Sequence, residues 1–290
     1  EAGGTLGILI PPSITMILYG IASETSIGRL FIAGIIPGLL LTALFMAWAL
    51  FISWKRGTVL IDQDRIYSMK EKLELLPRLL PFIAVIVGVV YALYGGIATP
   101  SEAAGVGAAL CLVMVMVIYR VWRLADLWAI LRDGLRESGM LLMIIGASIL
   151  FGYMMSSLQV TQSVATAIGE WQVNKWLVLA AINLLLLVAG CFLPPAAIIL
   201  MTTPILMPVI ISAGFDPIWF GVILTINMEL GLITPPVGLN LFVINGITPD
   251  VKLQTILKGA FPFMMCMVLA IVILCVFPEL ATWLPKKLMG

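Results

Sequence analysis

Apolar residues along this chain fall into long blocks separated by short polar stretches, and the blocks are far longer than a soluble core needs. They cover about 2–22, 30–54, 81–94, 102–122, 140–157, 176–190, 196–213, 217–247 and 253–280. The pattern predicts an all-α polytopic membrane protein. Two polar stretches keep a helical rhythm of apolar positions. In the first, Ile66, Met69, Leu73 and Leu76 recur at helical spacing, which predicts a surface arm helix. In the second, Leu124, Leu127, Trp128 and Leu131 predict an interfacial helix just before the 140–157 block.

Two of the apolar blocks are interrupted. The segment Ile223 to Ile247 is long enough to cross a bilayer, yet its centre reads Gly231-Leu-Ile-Thr234-Pro235-Pro236-Val-Gly238. Proline lacks an amide hydrogen and glycine tolerates unusual backbone angles, so the helix should unwind here and leave carbonyls without intrahelical partners. At membrane depth such backbone is tolerated only where protein or a wet cavity satisfies it. Free carbonyls suit a cation, and the half-helix that follows turns its positive end toward an anion. The competing reading is a proline-kinked packing helix. Just upstream, the blocks 176–190 and 196–213 are each marginal for a full crossing and are divided by Phe192-Leu193-Pro194-Pro195. A re-entrant hairpin over 174–213, with its tip at Cys191 to Pro195, fits that spacing.

The break has a counterpart. At an offset of 224, Gly7 falls on Gly231, Pro11 on Pro235 and Pro12 on Pro236; with one residue inserted, Gly34 then falls on Gly259 and Pro37 on Pro262. This is an internal repeat. It divides the chain into the end of a first repeat (1–54), an arm (55–80) and a second repeat (81–290), which holds the hairpin, the broken helix 217–248 and a final span. Most of the basic residues lie in 55–80 and 120–137. Placing that face in the cytoplasm makes the two repeats inverted. The chain opens at Glu1 inside a motif, with no initiator Met, basic leader or cleavage site, so it is expected to be the C-terminal part of a longer protein.

Composition narrows the chemistry. The chain is 62% hydrophobic and 11% charged with a net charge of +1, so neither nucleic acid nor another charged partner is implied. Histidine is absent, and Cys111, Cys191, Cys266 and Cys275 lie in apolar segments without metal-ligand spacing. Serine and threonine have no histidine base, and the acids lack partners at helical spacing, so an enzyme is not expected. Glu229 is the costliest acid to place, readable either as a contact to a cation or proton or as a hydrogen bond locking the scaffold. Thr99-Pro100-Ser101-Glu102 reads as a helix start.

Four segments together, GGTLGILIPPS at 3–13, GIATPSEAAGVGA at 96–108, GCFLPPAAIILMTTPILMPV at 190–209 and GFDPIWFGVILTINMELGLITPPVGLNLFVINGI at 214–247, resemble the large membrane subunit of tripartite ATP-independent periplasmic (TRAP) transporters of the ion transporter superfamily. The resemblance implies an elevator built from inverted repeats in the bacterial inner membrane. It implies sodium as coupling ion with no further cofactor, a small membrane subunit, a periplasmic binding protein, and an organic acid substrate such as a C4-dicarboxylate or sialic acid. Carried over by position, sodium would be held by Gly190, Cys191, Pro194, Gly231, Thr234 and Pro235 in the second repeat and by Gly4, Thr5 and Gly7 in the first. The substrate carboxylate would lie near Thr5, Ser13, Asn227 and Asn240. Many relatives carry an acid where Leu193 stands, so coordination here falls on carbonyls and hydroxyls, with Cys191 contributing its carbonyl. The first-repeat hairpin tip is expected upstream of Glu1. Other readings are a receptor-independent sodium/carboxylate symporter and a noncatalytic membrane assembly subunit.

Overall fold

The computed structural model of the chain describes residues 2–56, 69–95, 97–160, 162–163, 166, 174–247 and 251–289. Among these, all regular structure is helical. The helices are α1 (Ala2–Leu9), α2 (Ile14–Ser23), α3 (Ile27–Arg56), α4 (Met69–Tyr94), α5 (Pro100–Val117), α6 (Leu124–Ser157), α7 (Lys175–Gly190), α8 (Pro195–Ser212), α9 (Pro217–Leu232), α10 (Leu239–Ile247), α11 (Leu253–Val276) and α12 (Glu279–Met289). Five of them, α3, α5, α6, α8 and α11, are long and apolar enough to cross a membrane. The chain is therefore a multi-pass membrane protein.

Several expected boundaries shift. The interfacial stretch after Arg123 and the 140–157 block form one helix, α6, which runs through Gly134 and Gly139. The later part of the arm runs straight into the third apolar block as α4, while Ile66 lies outside the described residues. Pro262 does not interrupt α11, and the chain turns instead at Phe277 and Pro278 before the short α12. Both proline pairs do end a helix: α1 stops at Leu9 and α9 at Leu232.

The chain divides into two compact units, Glu1–Ala49 with Leu141–Gly290, and Leu50–Met140. In the smaller unit α4 packs on α5, where a side chain on Gly107 would press on Val89 at 3.1 Å. The turn between them ends in a capping box: Thr99 Oγ1 accepts from the Glu102 amide, and the Glu102 carboxylate accepts from the Thr99 amide at 2.8 Å. The helix start expected from the sequence is there.

The larger unit is built around α9. Every residue from Trp219 to Leu232 is buried, because α1, α2, α7, α8, α11 and α12 all pack against this one helix. Its start is fixed by Asp216, whose carboxylate accepts from the amides of Ile218 (2.8 Å) and Trp219 (3.2 Å), with Pro217 at the first helical position. In lipid the apolar tails compete with apolar side chains, so helices associate through close approach and satisfied polar groups. Both devices occur here. A side chain on Gly221 would lie 2.5 Å from the Tyr19 ring, so glycine lets α2 seat against α9. The Tyr19 hydroxyl donates to Pro217 O at 2.7 Å, and the Trp219 indole donates to Leu274 O at 2.8 Å.

Candidate functional site

The site begins where α9 ends. Pro235 and Pro236 cannot continue the helix, and after Leu232 the chain closes in short turns. Ile233 N donates to Leu230 O at 3.3 Å and Thr234 N to Gly231 O at 3.1 Å. Thr234 Oγ1 turns back and donates to Leu230 O at 2.5 Å, which leaves its lone pairs facing away from the helix. Gly238, at φ +54, reverses the chain into α10, and a side chain there would meet Leu241 at 2.7 Å.

Against this break sits the turn between α7 and α8. Gly190 ends α7 and faces Gly231 with backbone on backbone: a side chain on Gly231 would lie 2.7 Å from the Gly190 Cα, and one on Gly190 would lie 3.1 Å from the Gly231 Cα. Cys191 O accepts from Gly238 N at 3.3 Å, tying the tip to the far side of the break. Phe192, Leu193 and Pro194 then project into the exposed part of the turn, and Pro194 leads into α8 with no side-chain cap. About two turns back along α7 from Gly190, Asn227 Nδ2 donates to both the backbone oxygen (2.9 Å) and the Oδ1 (2.7 Å) of Asn183. Glycine contact at the tip and an asparagine pair below it hold α7 to α9 in register.

Gly190, Cys191, Gly231 and Thr234 are thus brought together, with Pro194 and Pro235 at the exposed edge of the same place. The oxygens on offer are the Cys191 carbonyl, which keeps one lone pair beyond its bond to Gly238, and the Thr234 hydroxyl. Both are hard donors suited to a small cation. The Cys191 sulfur points elsewhere and donates to Leu187 O at 3.2 Å.

The first-repeat residues stand differently. Gly4, Thr5 and Gly7 lie in α1, and the space beside Gly7 is open, with nothing within 4 Å of where a side chain would begin. Ser13 is buried and caps α2: its Oγ accepts from Met16 N at 3.3 Å and shares a 2.8 Å hydrogen bond with Thr15 Oγ1. In this conformation Ser13 and the amide nitrogen of Asn227 are engaged in holding the helices, while Asn227 Oδ1 is buried without a partner among the described residues. Asn240 is half-buried in the second turn-start of the broken helix, on α10.

Reading the sequence did not single out Asn183, although an asparagine inside an otherwise apolar hairpin arm is the signal for it. Glu229 was noticed for its cost. It is 2% exposed, and neither carboxyl oxygen has a hydrogen-bond partner among the described residues, so no scaffold-locking bond accounts for it.

Residues 1–280 match the family model described as the tripartite ATP-independent periplasmic transporter, DctM component. The chain is 39% identical to the C4-dicarboxylate TRAP transporter large permease protein DctM of Pseudomonas aeruginosa, covering 98% of this chain and 66% of that protein. It is 33% identical to the sialic acid TRAP transporter large permease protein SiaM of Vibrio cholerae, covering 98% and 66%. It is also 33% identical to the ectoine TRAP transporter large permease protein TeaC of Halomonas elongata, covering 96% and 64%. The chain spans about two thirds of the length of these relatives.

Proposed function

The chain belongs to the DctM family of TRAP transporter large permeases, transport proteins rather than enzymes, and from that premise we propose that it is the membrane permease part of a sodium-coupled importer of an organic acid. The observation that carries the proposal is the contact of the α7–α8 turn with the break after α9, where Gly190 lies backbone to backbone on Gly231, the Cys191 carbonyl accepts from Gly238, and Thr234 stands in the same break. Sodium at that place bridges the tip to the break. A cation that binds the closed tip more tightly than an opened one shifts the population toward closure, and the substrate is then enclosed before the unit moves. The TRAP relatives differ in cargo, with names among them that give C4-dicarboxylate, sialic acid, ectoine and isethionate. Three of the most similar carry C4-dicarboxylate, which favours a small dicarboxylate here.

The mechanism proposed is an elevator of inverted repeats in the bacterial inner membrane, working with a small membrane subunit and a periplasmic binding protein. Its substrate site lies between the two breaks and takes the carboxylate on Thr5 and Asn240 and, once released from their present partners, on Ser13 and Asn227, together with the starts of α2 and α10. For the first repeat to mirror the second, a further hairpin must cover Gly7. The longer relatives have the length to supply it.

The test is uptake of radiolabelled succinate and sialic acid into proteoliposomes that hold the full-length protein, its small subunit and its binding protein, with and without an inward sodium gradient. Sodium-dependent accumulation that collapses in Thr234→Ala supports the reading. Accumulation that ignores sodium, or proceeds without the binding protein, overturns it.

A further inference from the structure

Glu229 lies inside the larger unit, on its central helix, and takes no part in the sodium or substrate contacts described above. On α9, Gly221, Thr225 and Glu229 follow one another four residues apart, with Ile233 next in the same series, so they share one side of the helix. The first of them seats the Tyr19 ring of α2, and the last lines an apolar cavity together with Leu6 of α1. Leu6 thus stands at the end of α9 and Tyr19 at its start. The chain from α1 to α2 passes antiparallel along this side and carries the first break past Glu229.

That break brings no free hydroxyl to the carboxyl. Ser13 Oγ and Thr15 Oγ1 share a hydrogen bond of 2.8 Å, and Thr225 Oγ1 donates back to Gly221 O at 2.8 Å. Charge is equally absent on the helices packed against α9. Helices α1, α8 and α10 contain no titratable side chain. Tyr19 of α2 donates to Pro217 O, Asp216 caps α9, and Lys175 of α7 lies over the Trp176 and Phe215 rings, all at the head of α9. From Pro217 to Glu229 is about 18 Å along the helix. On α11, Lys258 is exposed, Cys266 turns to Leu44 O, and Cys275 follows Leu274, which meets Trp219 at the head of α9 again. Glu279, Lys286 and Lys287 of α12 are exposed. An ionised carboxylate buried with neither donor nor counter-charge is among the costliest groups a membrane protein can hold, and protonation removes most of that cost. A proton needs no oxygen besides the carboxyl's own, whereas a metal cation needs a shell of them.

We propose that Glu229 is a proton-binding site and that the permease carries one proton with each substrate it imports. The acid takes its proton from water when the first break is open to one face of the membrane, holds it as a neutral carboxyl in the conformation seen here, and returns it to water on the other face. The O–H bond made on one side is the one broken on the other, and nothing is oxidised or reduced. Proton binding follows from the surroundings of Glu229, while the coupling rests on the carrier reading proposed above.

Two measurements on the full-length permease with its small subunit and binding protein separate these two parts. Infrared spectra in an ester-free detergent at neutral pH should show a carboxylic acid C=O band above the amide I band, and Glu229→Gln should lose it. In proteoliposomes, with the sodium gradient fixed and the membrane potential clamped at zero, lowering the outside pH by one unit should raise steady-state accumulation of succinate or sialic acid, whichever is taken up. The expected rise is about tenfold, the factor that one coupled proton supplies. Glu229→Gln should lose that response whatever its rate of uptake. Absence of the band from the wild type, or its persistence in Glu229→Gln, overturns the proton site. Accumulation that ignores pH in the wild type, or still follows it in Glu229→Gln, overturns the coupling. Absence of any uptake overturns the carrier reading and the coupling with it, while the infrared band decides the proton site by itself.

Discussion

The two broken helices share a Gly-x-x-x-Pro-Pro pattern and meet different surroundings. At the second break Gly231 is pressed against Gly190, while at the first Gly7 faces open space. The halves that follow reverse the contrast. After the first break α2 is covered by α8 and α9, so Leu18 and Tyr19 are 4% and 0% exposed. Their counterparts after the second break, Phe242 and Val243 on α10, are 50% and 60% exposed. One hairpin accounts for both differences, since α7 covers the second break and α8 covers α2. The lesson is that a break of this kind is made locally, while what closes over it is decided by the packing of other helices.

The sharpest way to break this comparison is to add one methyl to each glycine. Gly231→Ala places its new carbon against the Gly190 backbone, which cannot give way like a flexible side chain, and should cost about 3 kcal/mol. Gly7→Ala meets nothing and replaces glycine inside a helix, so it should be neutral or stabilising by up to about 1 kcal/mol. Thermal unfolding of the two variants in the same detergent decides; equal losses would show that the breaks are equally covered.

The next contrast lies in the half-helices. Leu18→Ala empties a buried position and should cost about 2 kcal/mol, whereas Phe242→Ala, on an exposed face, should cost less than about 1 kcal/mol in the same assay. Addition of a segment that covers α10 would bring the two values together.

A smaller effect is expected from the asparagine pair that registers α7 on α9. Asn183→Leu and Asn227→Leu should each lower stability by about 1 kcal/mol, and the double variant should lose much less than the sum, because the second change removes a group the first left unpaired. A double-mutant cycle by denaturant titration measures the coupling. Additive losses would mean that the contact does not hold the hairpin.

The smallest effect on stability, and the most informative about the site, belongs to Thr234. Thr234→Val keeps the shape and removes a hydroxyl whose hydrogen bond returns to Leu230 O, a carbonyl that still accepts from Ile233 N, so the melting temperature without sodium should shift by less than what about 0.5 kcal/mol produces. The rise in melting temperature on adding sodium chloride, compared with choline chloride, should disappear. A sodium response that survives the substitution would place the cation elsewhere.

Much of this architecture follows from sequence pattern alone. The length of the apolar blocks demands membrane helices, since a bilayer imposes its thickness on any segment that crosses it. The proline pairs demand two breaks at matching positions, because a missing amide and a ring clash act within a few residues whatever surrounds them. Pro194 and Pro195 between the blocks 176–190 and 196–213 demand a break there, which the structure shows as the turn between α7 and α8. The same local rules located the helix start at Thr99, whereas the grouping of Gly190, Cys191, Gly231 and Thr234 came from the resemblance to the family.

What only the tertiary structure decided is which groups face one another and which are already engaged. Pattern cannot tell that Asn227 is bound to Asn183, that Ser13 is occupied in capping α2, or that α6 runs unbroken through Gly134 and Gly139. Nor can it tell that Gly34 is filled while Gly259 is open, although the two glycines occupy matching places in the repeat. Hydrophobic length and helix-breaking chemistry are properties of neighbouring residues in the chain, and so they are legible there. Close approach and hydrogen-bond pairing in lipid depend on distances between segments tens to hundreds of residues apart, and those are set only when the helices pack.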